Sequence, residues 1–350
     1  MTKTLKSLAI GSVGGWIFFL FDLPLAWMMG SMCLMTVIAI RGADLSVNPS
    51  LRKGMTSVLG VMLGSSFSPE SLENILNWSS GLLLLMTSII LSMATTYFYF
   101  RRFGNFDRTT AYFSSAPGGF NVMYEVGEAK GGDGRSIALI HATRVLLLVM
   151  TVPLVFRYGV TASDAVRTLP LLGDWQDLPE YGWLLVAAVF GTFFGKKLKL
   201  PAYHLMGPLL MAATMEMTGF ISAKPPMLLI YAAQLVIGTA LGLRFLGTTM
   251  REVGRVILLS LGSTGLMMLI ATLLAFAASP YIGISVPGLV LALSPGGLAE
   301  MSLVALALGI DVAFVSIMHV IRIAVIIAAV PVFYPLFRRF FPAPQEEPPV

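Results

Sequence analysis

The 350 residues carry 56% hydrophobic and only 12% charged side chains, about half the charged share of a soluble domain, which excludes an ordinary soluble globular protein and a disordered chain. One cysteine, Cys33, and three histidines exclude a disulfide framework and a Cys-based zinc or iron–sulfur centre. The net charge of +5 points to a bilayer rather than to nucleic acid, because the basic residues flank apolar runs.

A spanning helix needs roughly 20 mostly apolar residues. In chain order the sequence predicts spans at 5–21, 24–40, 53–68, 78–100 and 136–157, then at 182–196, 201–217, 227–246, 256–278 and 313–336. Lys3 and Lys6 ahead of the first run suit a signal peptide, but no small-residue cleavage site follows, so the run reads as a retained helix. Two further apolar segments, 108–130 and 284–309, are interrupted by Ser115-Ala116-Pro117-Gly118-Gly119 and Leu293-Ser294-Pro295-Gly296-Gly297. Proline and paired glycine stop a helix, and irregular backbone at membrane depth is tolerated only inside protein or along a wet cavity.

The interruptions belong to a duplication. Pro117-Gly118-Gly119 returns as Pro295-Gly296-Gly297 at an offset of 178, and so do Met123 as Met301, Asp133 as Asp311, His141 as His319, Arg144 as Arg322 and Pro153 as Pro331. Gly60, Gly64 and Phe67 recur as Gly238, Gly242 and Phe245, while Met29-Gly30 recurs as Met206-Gly207 at 177. Residues 1–158 and 182–338 are therefore two copies of one unit. A polar linker, 159–181, joins them on the extracytoplasmic side, and a Pro- and Glu-rich tail, 339–350, is expected to be disordered. If each broken segment is a re-entrant hairpin, each copy has five spans, an odd number, and the second copy is inverted. That orientation gathers most basic residues, from Lys3 and Lys6 through Lys196 and Arg244, on one side and leaves Arg157, Arg167 and Lys224 on the other. The expectation is an all-α plasma (inner) membrane protein with both termini cytoplasmic.

Inverted repeats with broken helices read as a secondary transporter whose site lies near the midplane. The helix N-termini after Gly119 and Gly297 favour an anion there. His141 and Arg144 share a helix face, and Arg144 lies roughly 12 Å inside its span at 1.5 Å per residue. His319 and Arg322 repeat the arrangement. Such residues are functional candidates, or braces for the hairpin carbonyls. Asp133 and Asp311 read as N-caps. Glu125 and Glu300 each follow a Pro-Gly-Gly break but are not repeat partners, since Leu303 and Val122 occupy the matching positions. Either could carry a proton or pair with an arginine. The candidate substrate-binding set is Pro117, Gly118, Gly119, Asn121, Glu125, His141 and Arg144 with Pro295, Gly296, Gly297, Glu300, His319 and Arg322. Tyr124, Ser114, Ser115, Ser294 and Ser302 are further polar linings. Gln234 and His204 read as helix–helix hydrogen bonds, and Gly60/Gly64 and Gly238/Gly242 as close-packing pairs.

Duplicated Pro-Gly-Gly followed by Asp and then His-x-x-Arg, carried by residues 117–153 and 295–331, resembles the membrane AbrB family, defined by an internal AbrB duplication. Members of that family have been labelled ammonia monooxygenases and regulators of gene expression; the resemblance supplies no catalytic set, cofactor or substrate. A copper or iron monooxygenase needs clustered His or carboxylate ligands, whereas His141, His204 and His319 fall in separate spans. No phosphate-binding GxxxxGK[ST] occurs. The expectation is thus a transporter of a small organic anion coupled to H⁺ or Na⁺, not an enzyme, with no metal or cofactor and no nucleic-acid partner. A membrane-embedded ligand sensor is the competing reading, and homo-oligomerisation stays open.

Overall fold

In the computed structural model of the chain the described residues are 2–67, 78–159, 171–173 and 177–340. They form α-helices α1 (Thr2–Leu20), α2 (Ala26–Ile40), α3 (Pro49–Gly64), α4 (Ser79–Tyr99), α5 (Arg108–Ser115), α6 (Phe120–Ala129) and α7 (Gly134–Gly159). The series continues with α8 (Leu178–Lys197), α9 (Tyr203–Met217), α10 (Met227–Gly242), α11 (Met250–Ile282), α12 (Val286–Leu293), α13 (Leu298–Ala307) and α14 (Val312–Phe340). Every expected span is a helix. Six, Ser79–Gly104, Gly134–Gly159, Leu178–Lys197, Met227–Phe245, Gly254–Ile282 and Val312–Arg339, are long and apolar enough to cross a membrane, which makes this a multi-pass helical protein. Most of the predicted linker and the last ten residues lie outside the described residues; α14 itself runs on to Phe340, two residues into the predicted tail.

Local chemistry sets the helix ends. Asn48 accepts from the Ser50 amide, Asp107 from that of Thr110 and Ser285 from that of Gly288, each satisfying a donor the first turn leaves free. Thr249 and Glu252 close a reciprocal capping box at α11. Asp133 accepts from Ser136 at the start of α7, and Asp311 from Ala313 and Phe314 at the start of α14, as their sequence position predicts. Ala116 and Ser294 each precede a proline and are extended, with ψ of 127° and 138°, because the proline ring crowds an α conformation at the preceding residue. That ends α5 and α12.

Each broken segment folds back on itself. Gly127 of α6 lies against Phe113 of α5, and the Asp133 amide donates to Thr110 Oγ1 across 2.8 Å. Gly288 of α12 lies against Ile310 in the same way. Thr109 also meets the Tyr334 hydroxyl, 2.6 Å away, so the start of α7 and the last turns of α14 gather at the base of the first hairpin. The far end of α7 sits elsewhere, with Arg157 paired to Asp22 at 2.8 Å. The base of the second hairpin borders an open cavity of about 740 Å³ lined by Trp78, Tyr281, Ser285, Gly288 and Asp311.

The remaining helices form a scaffold held by glycines. Gly14 of α1 packs on the Gly30 carbonyl of α2, and Gly191 of α8 on the Gly207 carbonyl of α9. Gly60 and Gly64 of α3 pack on the Leu205 and Leu209 carbonyls, while Gly238 and Gly242 of α10 pack on those of Met28 and Met32. The predicted close-packing glycines thus join each half to the other rather than to itself. Left-handed backbone falls in matching pairs as well: Asp22 with Lys199 (φ 52° and 55°) and Leu25 with Ala202 (49° and 46°). Such residues cost about 1–2 kcal/mol each, and the pairs are 177 residues apart, the offset at which Met29-Gly30 recurs as Met206-Gly207.

Candidate functional site at the hairpin tips

Helix α7 supports the first hairpin and α14 the second. The His141 Nε2–H donates to the Phe113 carbonyl (3.0 Å) and that of His319 to the Leu291 carbonyl (2.9 Å). Arg144 donates from both terminal nitrogens, to Ala116 and to Ser114 (2.6 Å). Arg322 donates to Ser294 and Gly296, and also to His319 Nδ1 at 2.8 Å. The recipients are the carbonyls that α5 and α12 orphan where proline and glycine end them, so the arginines act as braces. Each is 1% exposed. The Nε donors of both lack a partner among the described residues.

The first tip reaches α14. Gly118 (φ 151°) and Gly119 (φ 66°) lie against Ile326 of α14, and Arg322 Nε borders the space where a Gly118 side chain would stand. A left-handed glycine there is what the turn and the close approach require. The second tip differs: Gly297 is extended, with φ −77° and ψ 151°. The half-helices after the tips differ further. In α13 the run Leu298–Ala305 is buried throughout, whereas in α6 only Met123 and Gly127 are. The predicted site residues are accordingly divided. Glu300 is 7% exposed, while Asn121 and Glu125 are exposed on the outer face of α6 and do not join it. Ser302 bonds Ser316 at 2.8 Å within the buried set, and Ser115 and Ser294 return their hydroxyls to Tyr112 and Leu291 of their own hairpins.

Two sequence expectations are corrected. Gln234 Oε1 and His204 Nε2 are buried without a partner among the described residues, so neither is the predicted helix–helix hydrogen bond; the His204 ring lies on Tyr203 instead, centroids 4.0 Å apart. Arg244, counted with the flanking cations, is half-buried against the first tip. It sits in the 3₁₀ turn Leu243–Phe245 that ends α10, with its guanidinium 4.5 Å from the centre of the Phe120 ring at the first tip. It lies within Coulombic range of Glu300 and of His141. A signal for it existed: the repeat position 178 residues earlier is Ser66, so Arg244 breaks the symmetry just as Glu300 does.

Fold and site together define a multi-pass helical membrane protein organised around two Arg-braced, Pro-Gly-Gly-broken hairpins. The family model described as Transition state regulatory protein AbrB matches residues 27–338, and the chain belongs to the AbrB family. It is similar to the "Uncharacterized protein YhjN" of Bacillus subtilis (strain 168), 29% identical over 360 residues covering 96% of this chain and 93% of that one. It is also similar to the "Putative regulator AbrB" of Escherichia coli (strain K12), 26% identical over 312 residues, 87% and 88% of the two chains.

Proposed function

We propose that the protein is a secondary transporter of a small organic anion, coupled to H⁺ or Na⁺, with its site between two inverted repeats at the meeting of the hairpin tips. The observation that carries this reading is the pair of braced hairpins held in unequal states. One half-helix is buried along its length; the other turns the polar residues Asn121 and Glu125 outward. Two equivalent elements in different environments are what alternating access about a fixed site requires, and an exposed polar face at membrane depth needs a wet cavity.

Inversion is supported by chain direction. Helices α7 and α14 carry the same His-x-x-Arg, yet α7 begins where α14 ends, at Thr109 and Thr110. Basic groups gather at that end: Arg135 reaches Gly247 and Glu252, and Arg255 reaches Gly104. By charge asymmetry this end faces the cytoplasm of a plasma (inner) membrane, with both termini there and the hairpins re-entrant from opposite sides. Among the described residues the interior is electropositive, with buried Arg144 and Arg322 and half-buried Arg244 against one buried carboxylate, Glu300, which favours a net anion. The reading is of a transporter rather than an enzyme.

The family description and the name of the Escherichia coli relative favour a second reading, a membrane-embedded ligand sensor that affects gene expression indirectly. Flux separates the two. Purified protein in proteoliposomes, offered labelled acetate, pyruvate and succinate under an H⁺ or Na⁺ gradient, accumulates at least one of them if it is a transporter. Saturable binding with no accumulation would replace transport with sensing.

A further inference from the structure

We propose that Arg244 is the residue that receives the carboxylate of an organic anion at the tips, and that Glu300 is the built-in carboxylate the ligand displaces, released by a proton. This names the anion contact and the coupling group of the site proposed above and rests on that reading.

The argument starts from which donors are free. Arg144 and Arg322 spend both terminal nitrogens on hairpin carbonyls and keep only an enclosed Nε each. They hold the site together and set its potential, and they have no fork left for a ligand. Arg244 is different. It is half-buried, it touches the Phe120 ring at 4.5 Å, and among the described residues it closes no ion pair and no carbonyl accepts from it. A guanidinium carries five N–H donors in a planar fork that fits a carboxylate two-on-two. Contact with an aromatic face leaves those donors unspent. Phe120, the first residue of α6, also supplies an apolar wall beside the fork.

Glu300 supplies the counter-charge. It stands in the first turn of α13 with its carboxylate folded back over Gly297, where a Cβ would overlap it. It is close enough to Arg244 to feel its charge without closing an ion pair. The other charged or titratable groups on elements packed against α13 are His319, Arg322, Tyr334, Arg338 and Arg339 of α14, Arg135, His141, Arg144, Arg157 and Tyr158 of α7, and Arg52 and Lys53 of α3; α12 brings none. Burying a second anion beside an ionised Glu300 is costly in a low dielectric. The site keeps its charge if Glu300 takes one proton as the ligand carboxylate takes its place beside Arg244. One anion and one proton then enter together. By linkage, apparent affinity rises as pH falls, until the ligand itself is protonated.

The experiment uses detergent-purified full-length protein with acetate, pyruvate and succinate as probes and acetamide and pyruvamide as neutral counterparts. Binding is read by thermal shift across pH and uptake in proteoliposomes. Wild type is expected to bind at least one acid and to discriminate against the amide, with affinity rising up to tenfold per unit of falling pH. Arg244→Gln is expected to lose tenfold or more in acid affinity, and Arg244→Lys, which keeps the charge without the fork, to lose less. Glu300→Gln binds the acid with its pH dependence flattened, and Gly297→Ala, which displaces Glu300 without removing it, weakens that dependence. A wild type that binds and moves the acids beside an Arg244→Gln variant of equal affinity overturns this inference alone. A wild type that neither binds nor moves any of them overturns the transport reading and this inference with it.

Discussion

At the scale of single residues, a buried arginine is justified by what it satisfies. Ser114, Ala116, Ser294 and Gly296 present carbonyls at the ends of broken helices, and all four residues are buried, so their carbonyls need donors from the protein. A charge-assisted hydrogen bond contributes about 1.5–3 kcal/mol, and an orphaned buried acceptor costs about 1–3 kcal/mol. Arg144→Gln and Arg322→Gln are therefore expected to lose about 2–4 kcal/mol of stability, seen as a lower melting temperature in detergent with or without ligand. If both variants melt like wild type, the bracing role is wrong. Glu252 is a milder case at the surface end of α11. The Thr249 amide and hydroxyl donate to its carboxylate, and Arg135 lies 3.0 Å away; these hold its pKa below the usual 4.5. A depressed carboxylate pKa gives stability that is present above the unfolded value and lost as pH falls through the folded one. Glu252→Gln should thus melt below wild type at neutral pH, with the gap closing once the pH drops under the ordinary carboxylate range. A gap that stays constant into acid would show that the carboxylate charge contributes nothing. Residues of this kind were legible: His-x-x-Arg and the two Asp caps are polar groups too rare in apolar sequence to be incidental. Arg244 was harder to see, because a cation at the end of an apolar run is what charge asymmetry ordinarily places in water, and only the contact with Phe120 shows it turned inward.

At the scale of elements, the fold depends on where side chains are absent. Gly60 and Gly64 let α3 ride on the carbonyls of α9, and Gly238 and Gly242 do the same for α10 on α2. Without a hydrophobic driving force between helices in lipid, such close backbone contact is a main source of association. A Cβ on Gly60 would meet the Leu205 carbonyl, whereas one on Gly54, in the same helix, would meet nothing within 4 Å. Gly60→Ala should therefore cost upwards of about 2 kcal/mol through forced separation of α3 and α9. Gly54→Ala should be neutral or stabilise by about 0.5–1 kcal/mol, since glycine is a poor helix residue. Thermal unfolding of the two variants side by side checks this, and equal melting temperatures would mean that the α3–α9 contact tolerates a side chain. The spacing of these glycines was visible in the sequence, but their partners were not: periodicity shows that a face is small, not which helix it meets. The same limit explains the divided site. Glu125 and Glu300 look alike in sequence, six and three residues after their breaks, yet one faces outward on α6 and the other is enclosed on α13. Helical phase and neighbours separate them, and only the packed structure supplies both.

At the scale of the whole molecule, the decisive question is how the halves sit across a bilayer. A twofold axis relating them could lie in the membrane plane or stand normal to it, and transport by exchange of two equivalent hairpins belongs to the first arrangement. The two placements differ most clearly at equivalent exposed positions of the chain. Phe103 and Tyr281 are such a pair, 178 residues apart and 68% and 89% exposed. Phe103 follows α4 on the side where Arg101 reaches Phe106 and Arg255 reaches Gly104, while Tyr281 borders the open cavity at the base of the second hairpin. Cys33 is the sole cysteine, so its replacement gives a silent background. In that background Phe103→Cys should react with a membrane-impermeant maleimide only from the cytoplasmic face, and Tyr281→Cys only from the opposite face. Counterparts labelled from opposite faces require an axis in the membrane plane. Labelling of both from one face would place the axis along the normal, turn the hairpins into parallel elements and leave no symmetric route between the two sides.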